Sequence, residues 1–143
     1  MRLKLIASTP GVETLVATAI LTTSSGKTPQ EIYGELRGDK VRVEKIVKRI
    51  ILKHGSVLEH NRLVFLAEAE ENEILSLLLA NRFLEATRLG RGRWLLSCNL
   101  RTLLSLLKEG EGLPEGLREG LEEALREVAP SLWRRVRDAG GAR

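Results

Sequence analysis

Cysteine is nearly absent: Cys98 is the single one in 143 residues. That excludes an internal disulfide framework or a zinc cluster built from several cysteines, and it suits a reducing cytoplasm. Aromatics are almost as scarce, with two Trp, two Phe and one Tyr, so the core must be built from Leu, Ile, Val and Ala. Long apolar runs are missing too. Stretches such as Leu77-Leu78-Leu79-Ala80 fall far short of a bilayer's thickness, and Met1 to Ile6 offers neither a long apolar segment nor a cleavage site. The expectation is a cytoplasmic chain with no membrane partner. Glutamine occurs once, at Gln30, against abundant Arg and Glu, a bias that points to a thermophile.

What is present fits one folded domain over residues 1–143, at 43% hydrophobic and 29% charged. The net charge of +4 is unevenly placed, with a local +4 between residues 86 and 110 and −4 between residues 55 and 85. A basic segment of this kind, among residues that can present N–H donors, suits an anionic ligand.

Residues 2–7 alternate as a first strand. Ser8-Thr9-Pro10 reads as the start of a helix that ends near Thr22, and Thr28-Pro29-Gln30-Glu31 starts a short one through Leu36. Val43, Ile46, Val47, Ile50 and Ile51 give the clearest amphipathic helix, running to about His54-Gly55. Residues 62–70 read as a strand, 72–83 as a helix, 85–93 as loop or irregular strand, and 94–97 as a short strand. Helices follow over 100–108, from Pro114 to Val128, and from Pro130 to Arg137, with a frayed tail. This order predicts an α+β fold with helices packed on a small, mixed or antiparallel sheet.

The most distinctive stretch is His54-Gly55-Ser56-Val57-Leu58-Glu59-His60, set between the basic helix and a hydrophobic strand. Taken alone, it is either an ordinary turn with a capping Ser and solvated charges or a polar site in which His54 and Glu59 orient one another. No third strong ligand follows at a helical spacing, so no metal is assigned. The stretch resembles the His-x-Ser/Thr-x-x-Glu-His motif of flavin-dependent thymidylate synthases. Two further landmarks follow in the family's order: Trp94 to Leu104, similar to a strand ending in Asn-x-Arg and running into a helix, and the closing Ala129-Pro130-Ser131-Leu132-Trp133.

The resemblance implies a homo-oligomer, tetramer or dimer, that holds FAD between subunits and serves dTMP biosynthesis. Carried onto matching positions, Ser56 and Glu59 would hydrogen-bond the flavin, with His54 nearby. Asn99 and Arg101 would contact the flavin or its phosphates. An Asn at a helix start beside an Arg also suits an anion on its own chemistry, through exposed N–H groups and a delocalised cation; the plainer alternative is a helix cap and a surface Arg.

The family's catalytic signature is degraded. It reads Arg-His-Arg, seven residues, then Ser, with a substrate-binding Arg two residues on. Counting back from Arg88 sets Ser76-Leu77-Leu78 and Ala86 at these places; counting from His60 sets Leu79-Ala80-Asn81 and Leu89 there, with Arg91 as the substrate residue. Arg88 and Arg91 are therefore the candidate substrate-binding residues, and no catalytic residue is assigned. The segment itself reads as an amphipathic or buried helix. The stretch that separates signature from Asn-x-Arg strand in the family is missing, and the late substrate Arg falls at about Gly110. Cys98 beside Asn99 and Arg101 is either a nucleophile or a small buried apolar residue.

Four functions follow from these residues. The first is a flavin- or nucleotide-binding protein, a pseudoenzyme without full turnover. The second is a flavin enzyme active on dUMP or another substrate, and the third a non-catalytic oligomeric scaffold. The last is a nucleic-acid binder through Arg88, Arg91, Arg93 and Trp133-Arg134-Arg135-Val136-Arg137, set aside because a solvated helix face accounts for that cluster.

Overall fold

The computed structural model describes residues 1–49, 55–108, 113–114 and 116–140. Among these, seven α-helices and four strands form an α+β fold in which every strand pair is antiparallel. The strands are β1 (Arg2–Ser8), β2 (Leu63–Glu68), β3 (Glu85–Gly90) and β4 (Arg93–Cys98), in the spatial order β1-β2-β4-β3. The helices are α1 (Val12–Thr22), α2 (Pro29–Leu36), α3 (Lys40–Lys48), α4 (Glu71–Ala80), α5 (Leu100–Lys108), α6 (Leu117–Val128) and α7 (Pro130–Gly140).

The period-2 pattern sets the register. Leu5, Phe65, Leu96 and Ala86 form one row across all four strands, and Leu3, Ala67 and Trp94 start the next. Phe65, Ala67 and Leu96 are buried in one core cluster with Ile74 and Leu77 of α4, Leu103 of α5, and Leu121 and Leu125 of α6. The core is aliphatic, as the shortage of aromatics requires.

Several expected elements need correction. Pro10 does not open α1; Gly11, at φ 63°, precedes the helix and no side chain caps it. The α4 helix ends at Ala80 instead of residue 83, because the chain turns extended at Asn81. Of the two alternatives for residues 85–93 the irregular strand holds: they form β3, whose register shifts between Arg88 and Gly90, and the hairpin turn into β4. That turn passes through Gly90, Arg91 and Gly92, all at positive φ, and a run of left-handed residues is what two glycines permit. The α3 helix ends at Lys48, and Ile50, Ile51 and His54 lie outside the described residues.

Two contacts fix the C-terminal helices, one to α1 and one to the sheet. Glu13 of α1 accepts hydrogen bonds from the Ser131 N–H (2.7 Å), the Ser131 hydroxyl (2.9 Å) and the Leu132 N–H (3.3 Å), so its carboxylate caps α7. The α6 helix lies along β1 with Gly120 against it. A Cβ at Gly120 would sit 2.7 Å from both Cβ and carbonyl oxygen of Leu3. Backbone on both sides cannot yield, so Gly120→Ala should lower stability by about 1–3 kcal/mol, the scale of overpacking. Gly34, inside α2, has nothing within 4 Å of its would-be Cβ. Gly34→Ala should raise stability by about 0.5–1 kcal/mol through helix propensity. Urea unfolding checks both, and a Gly120→Ala protein as stable as wild type would contradict the close packing.

Candidate functional site

After α3 the chain makes a single 3-10 turn, Gly55–Leu58, and Leu58 buries its side chain in the core. The end of this turn is held by Asn61. Its side-chain amide donates to the Leu58 carbonyl (2.9 Å), and its oxygen accepts from the Leu100 N–H at the start of α5 (2.8 Å). One side chain thereby joins the turn to a helix start 39 residues later in the sequence.

Asn99 caps the same helix, accepting the Thr102 N–H at 2.9 Å. The Leu103 N–H goes to the Asn99 carbonyl. This corrects the expectation that the α5 start exposes unpaired N–H groups: Asn61, Asn99 and the helix itself take three of the first four. An anion here must rely on side-chain charge.

That charge is Arg101. It projects from the first turn of α5 and pairs through Nη1 with the Glu59 carboxylate. Its guanidinium lies against Gly55, where a Cβ would come within 2.6 Å of Nε and 2.8 Å of Cζ. Gly55 is thus the seat that admits Arg101. Both partners of the ion pair are about half exposed, at 54% and 41%. Such a pair is worth about 0–1 kcal/mol, so Arg101 can exchange Glu59 for a ligand at little cost.

Glu59, Asn99, Arg101, Thr102 and Ser105 form one wall of a cleft of about 340 Å³. The other wall is the C-terminal end of α4 and the turn after it: Ala80, Asn81, Arg82 and Phe83. Two guanidinium groups against one carboxylate make the cleft net positive. Its size is at the small end of ligand sites.

Of the residues expected at a site, Glu59, Asn99 and Arg101 therefore share one cleft. Ser56 is exposed in the adjoining turn, its carbonyl accepting the Glu59 N–H at 3.2 Å, and its side chain does not line the cleft. His54 and Gly110 lie outside the described residues. Arg88 and Arg91 do not join this group. Arg88 lies over the Trp94 ring, 5.6 Å from its centroid, and pairs with Glu71 at 3.4 Å. Glu71 begins α4, whereas the cleft is at that helix's far end, roughly 15 Å away along a ten-residue helix. Arg91 occupies the β3–β4 turn. Sequence reasoning missed Asn81, Arg82 and Phe83, whose signal was the break in apolar periodicity after Ala80.

A larger cleft of about 470 Å³ lies between the β1–α1 loop, α3 and α7. Its central polar groups are already committed, Glu13 to the start of α7 and Arg134 to Glu44 at 2.8 Å. Volume alone does not make it the better site. Cys98 is excluded as a nucleophile: it is fully buried, and burial pushes its thiol pKa up to about 12. A thiol with so high a pKa stays neutral from pH 7 to 9, and only the thiolate attacks. A disulfide reagent at pH 8 should leave native Cys98 unmodified and react fully once the protein is unfolded in guanidinium. Rapid modification of the native protein would contradict its burial. No protein-family model matches the chain, and no curated protein matches it.

Proposed function

We propose that this chain is a shortened, single-domain relative of the flavin-dependent thymidylate synthases, with their type of α+β fold. It binds FAD or a related nucleotide at the cleft between Glu59 and Arg101, without full dTMP synthase turnover. The observation that carries this reading is the meeting of two motif segments, 42 residues apart, in one ion pair beside one cleft. Arg101 supplies the charge for a phosphate. Glu59 suits a neutral donor of the ligand, a ribose hydroxyl or a flavin N–H, once Arg101 has turned away.

The degraded signature supports the second half of the reading. In the family, Arg-His-Arg gives positive charge near the flavin and nucleotide, where it stabilises developing anionic charge. Of the two registers, the one counted from His60 sets Leu79, Ala80 and Asn81 at those places, and Ala80 and Asn81 line this cleft. An alanine and an amide bring no charge there. Arg82 beside them is the one cation on that wall among the described residues.

A homo-oligomer is favoured by a separate observation. Leu79 is 88% exposed and Leu75 on the same face of α4 is 49% exposed. Two leucines left in water on one helix, next to the cleft, suit burial by a second copy. Light scattering should give a mass of two or more chains; a clean monomer at micromolar concentration would reject this.

The purified protein should bind flavin, read as a yellow absorption spectrum or by titration with FAD. Arg101→Ala should weaken binding by about 1.5–3 kcal/mol, the scale of a charge-assisted hydrogen bond, and Arg134→Ala should leave it unchanged. Gly55→Ala should fold and also weaken binding, because its Cβ displaces the Arg101 guanidinium. Equal losses from Arg101→Ala and Arg134→Ala would reject the site. Incubation with dUMP, methylene-tetrahydrofolate and reduced flavin should yield no dTMP; robust dTMP formation would overturn the reading of lost turnover.

A further inference from the structure

Phe83 is placed where the rest of the fold gives no reason for it to be. The chain has five aromatic residues. Phe65 is buried, Tyr33, Trp94 and Trp133 are half-buried, and Phe83 alone is exposed, at 57%. Full burial of such a ring is worth roughly 1.5–3 kcal/mol, and more than half of that is forgone here. The core place at this turn is taken by its neighbour Leu84, which is 7% exposed.

The exposure is not looseness of the turn. The Asn81 side-chain oxygen accepts the Phe83 N–H at 3.0 Å, and the Asn81 carbonyl accepts the Leu84 N–H at 3.3 Å. This Asx turn sets Phe83 outward on the cleft wall. The Arg82 guanidinium lies over the ring, 4.8 Å from its centroid. Even with Arg82 over it, the residue remains 57% exposed. The cleft thus combines a flat apolar ring, Arg82 against that ring and Arg101 across from it.

We propose that Phe83 is the stacking platform of this cleft, so that its ligand is a planar heteroaromatic ring joined to a phosphate. The ring lies on Phe83 and the phosphate reaches Arg101. This rests on the nucleotide-site reading above and deepens it, because it names the residue that holds the ring. An anion without a ring gains only the Arg101 contact.

The test is titration of the wild-type protein and of Phe83→Leu, Phe83→Trp and Arg101→Ala with FMN, AMP and ribose 5-phosphate, followed by calorimetry. Phe83→Leu keeps an apolar side chain of similar reach and removes the aromatic face. It should weaken FMN or AMP about 10-fold or more, within the range found for base–aromatic stacking. It should leave ribose 5-phosphate unchanged. Phe83→Trp should retain binding, with its indole fluorescence quenched on saturation, and Arg101→Ala should weaken all three ligands. If FMN binds wild type and Phe83→Leu alike, the platform is wrong and the flavin reading stands. If AMP binds with loss in Phe83→Leu while FMN does not bind, the platform stands and the flavin reading falls. If neither aromatic ligand binds wild type, both fall. A change of oligomeric mass in Phe83→Leu with ring-ligand affinity intact would assign Phe83 to a subunit contact and overturn the proposal.

Discussion

The candidate site depends on the side chain of Asn61. Its amide holds the Leu58 carbonyl and its oxygen holds the Leu100 N–H, so one side chain ties the turn at Gly55–Leu58 to the start of α5. Each bond satisfies a backbone group at the edge of the core, where Leu58 and Leu100 are both buried. Glu59 and Arg101 project from this joint on either side and meet. Gly55 completes it by leaving room for the guanidinium. The arrangement fixes the position of a cation while committing the helix N–H groups elsewhere.

Charge and shape then divide the work. The Arg101–Glu59 pair is exposed and weak, which makes it a contact that a ligand can replace. Opposite it, α4 ends in Ala80 and turns through Asn81 to Phe83. Among the described residues the cations of the cleft are Arg82 and Arg101, set against the single Glu59 carboxylate.

Much of the fold could be read from residue pattern. The apolar run Leu63-Val64-Phe65-Leu66-Ala67, alternating only from Ala67 on, marked β2, and the structure buries one face of that strand and half-buries the other. Thr28-Pro29-Gln30-Glu31 opens α2 as expected, and the structure adds a reciprocal cap between Thr28 and Glu31. The β3 strand was legible only as one of two alternatives: Glu85-Ala86-Thr87-Arg88 has little apolar content, and its pairing with β4 comes through the Gly90-Arg91-Gly92 turn. In the candidate cleft, the family resemblance singled out Glu59, Asn99 and Arg101, since the matching motifs are local to two segments. Asn61 and Phe83 were invisible for another reason. Their roles exist only after residues distant in sequence have been brought together by the sheet, and no local period records that.

Backbone amide chemical-shift mapping tests the central claim most directly. On addition of FAD to the isotope-labelled protein, shifts should concentrate at residues 59, 80–83 and 99–105, with the amides around Glu13 and Arg134 unmoved. Shifts confined to the cleft between α3 and α7, or scattered evenly over the surface, would contradict a ligand site between Glu59 and Arg101.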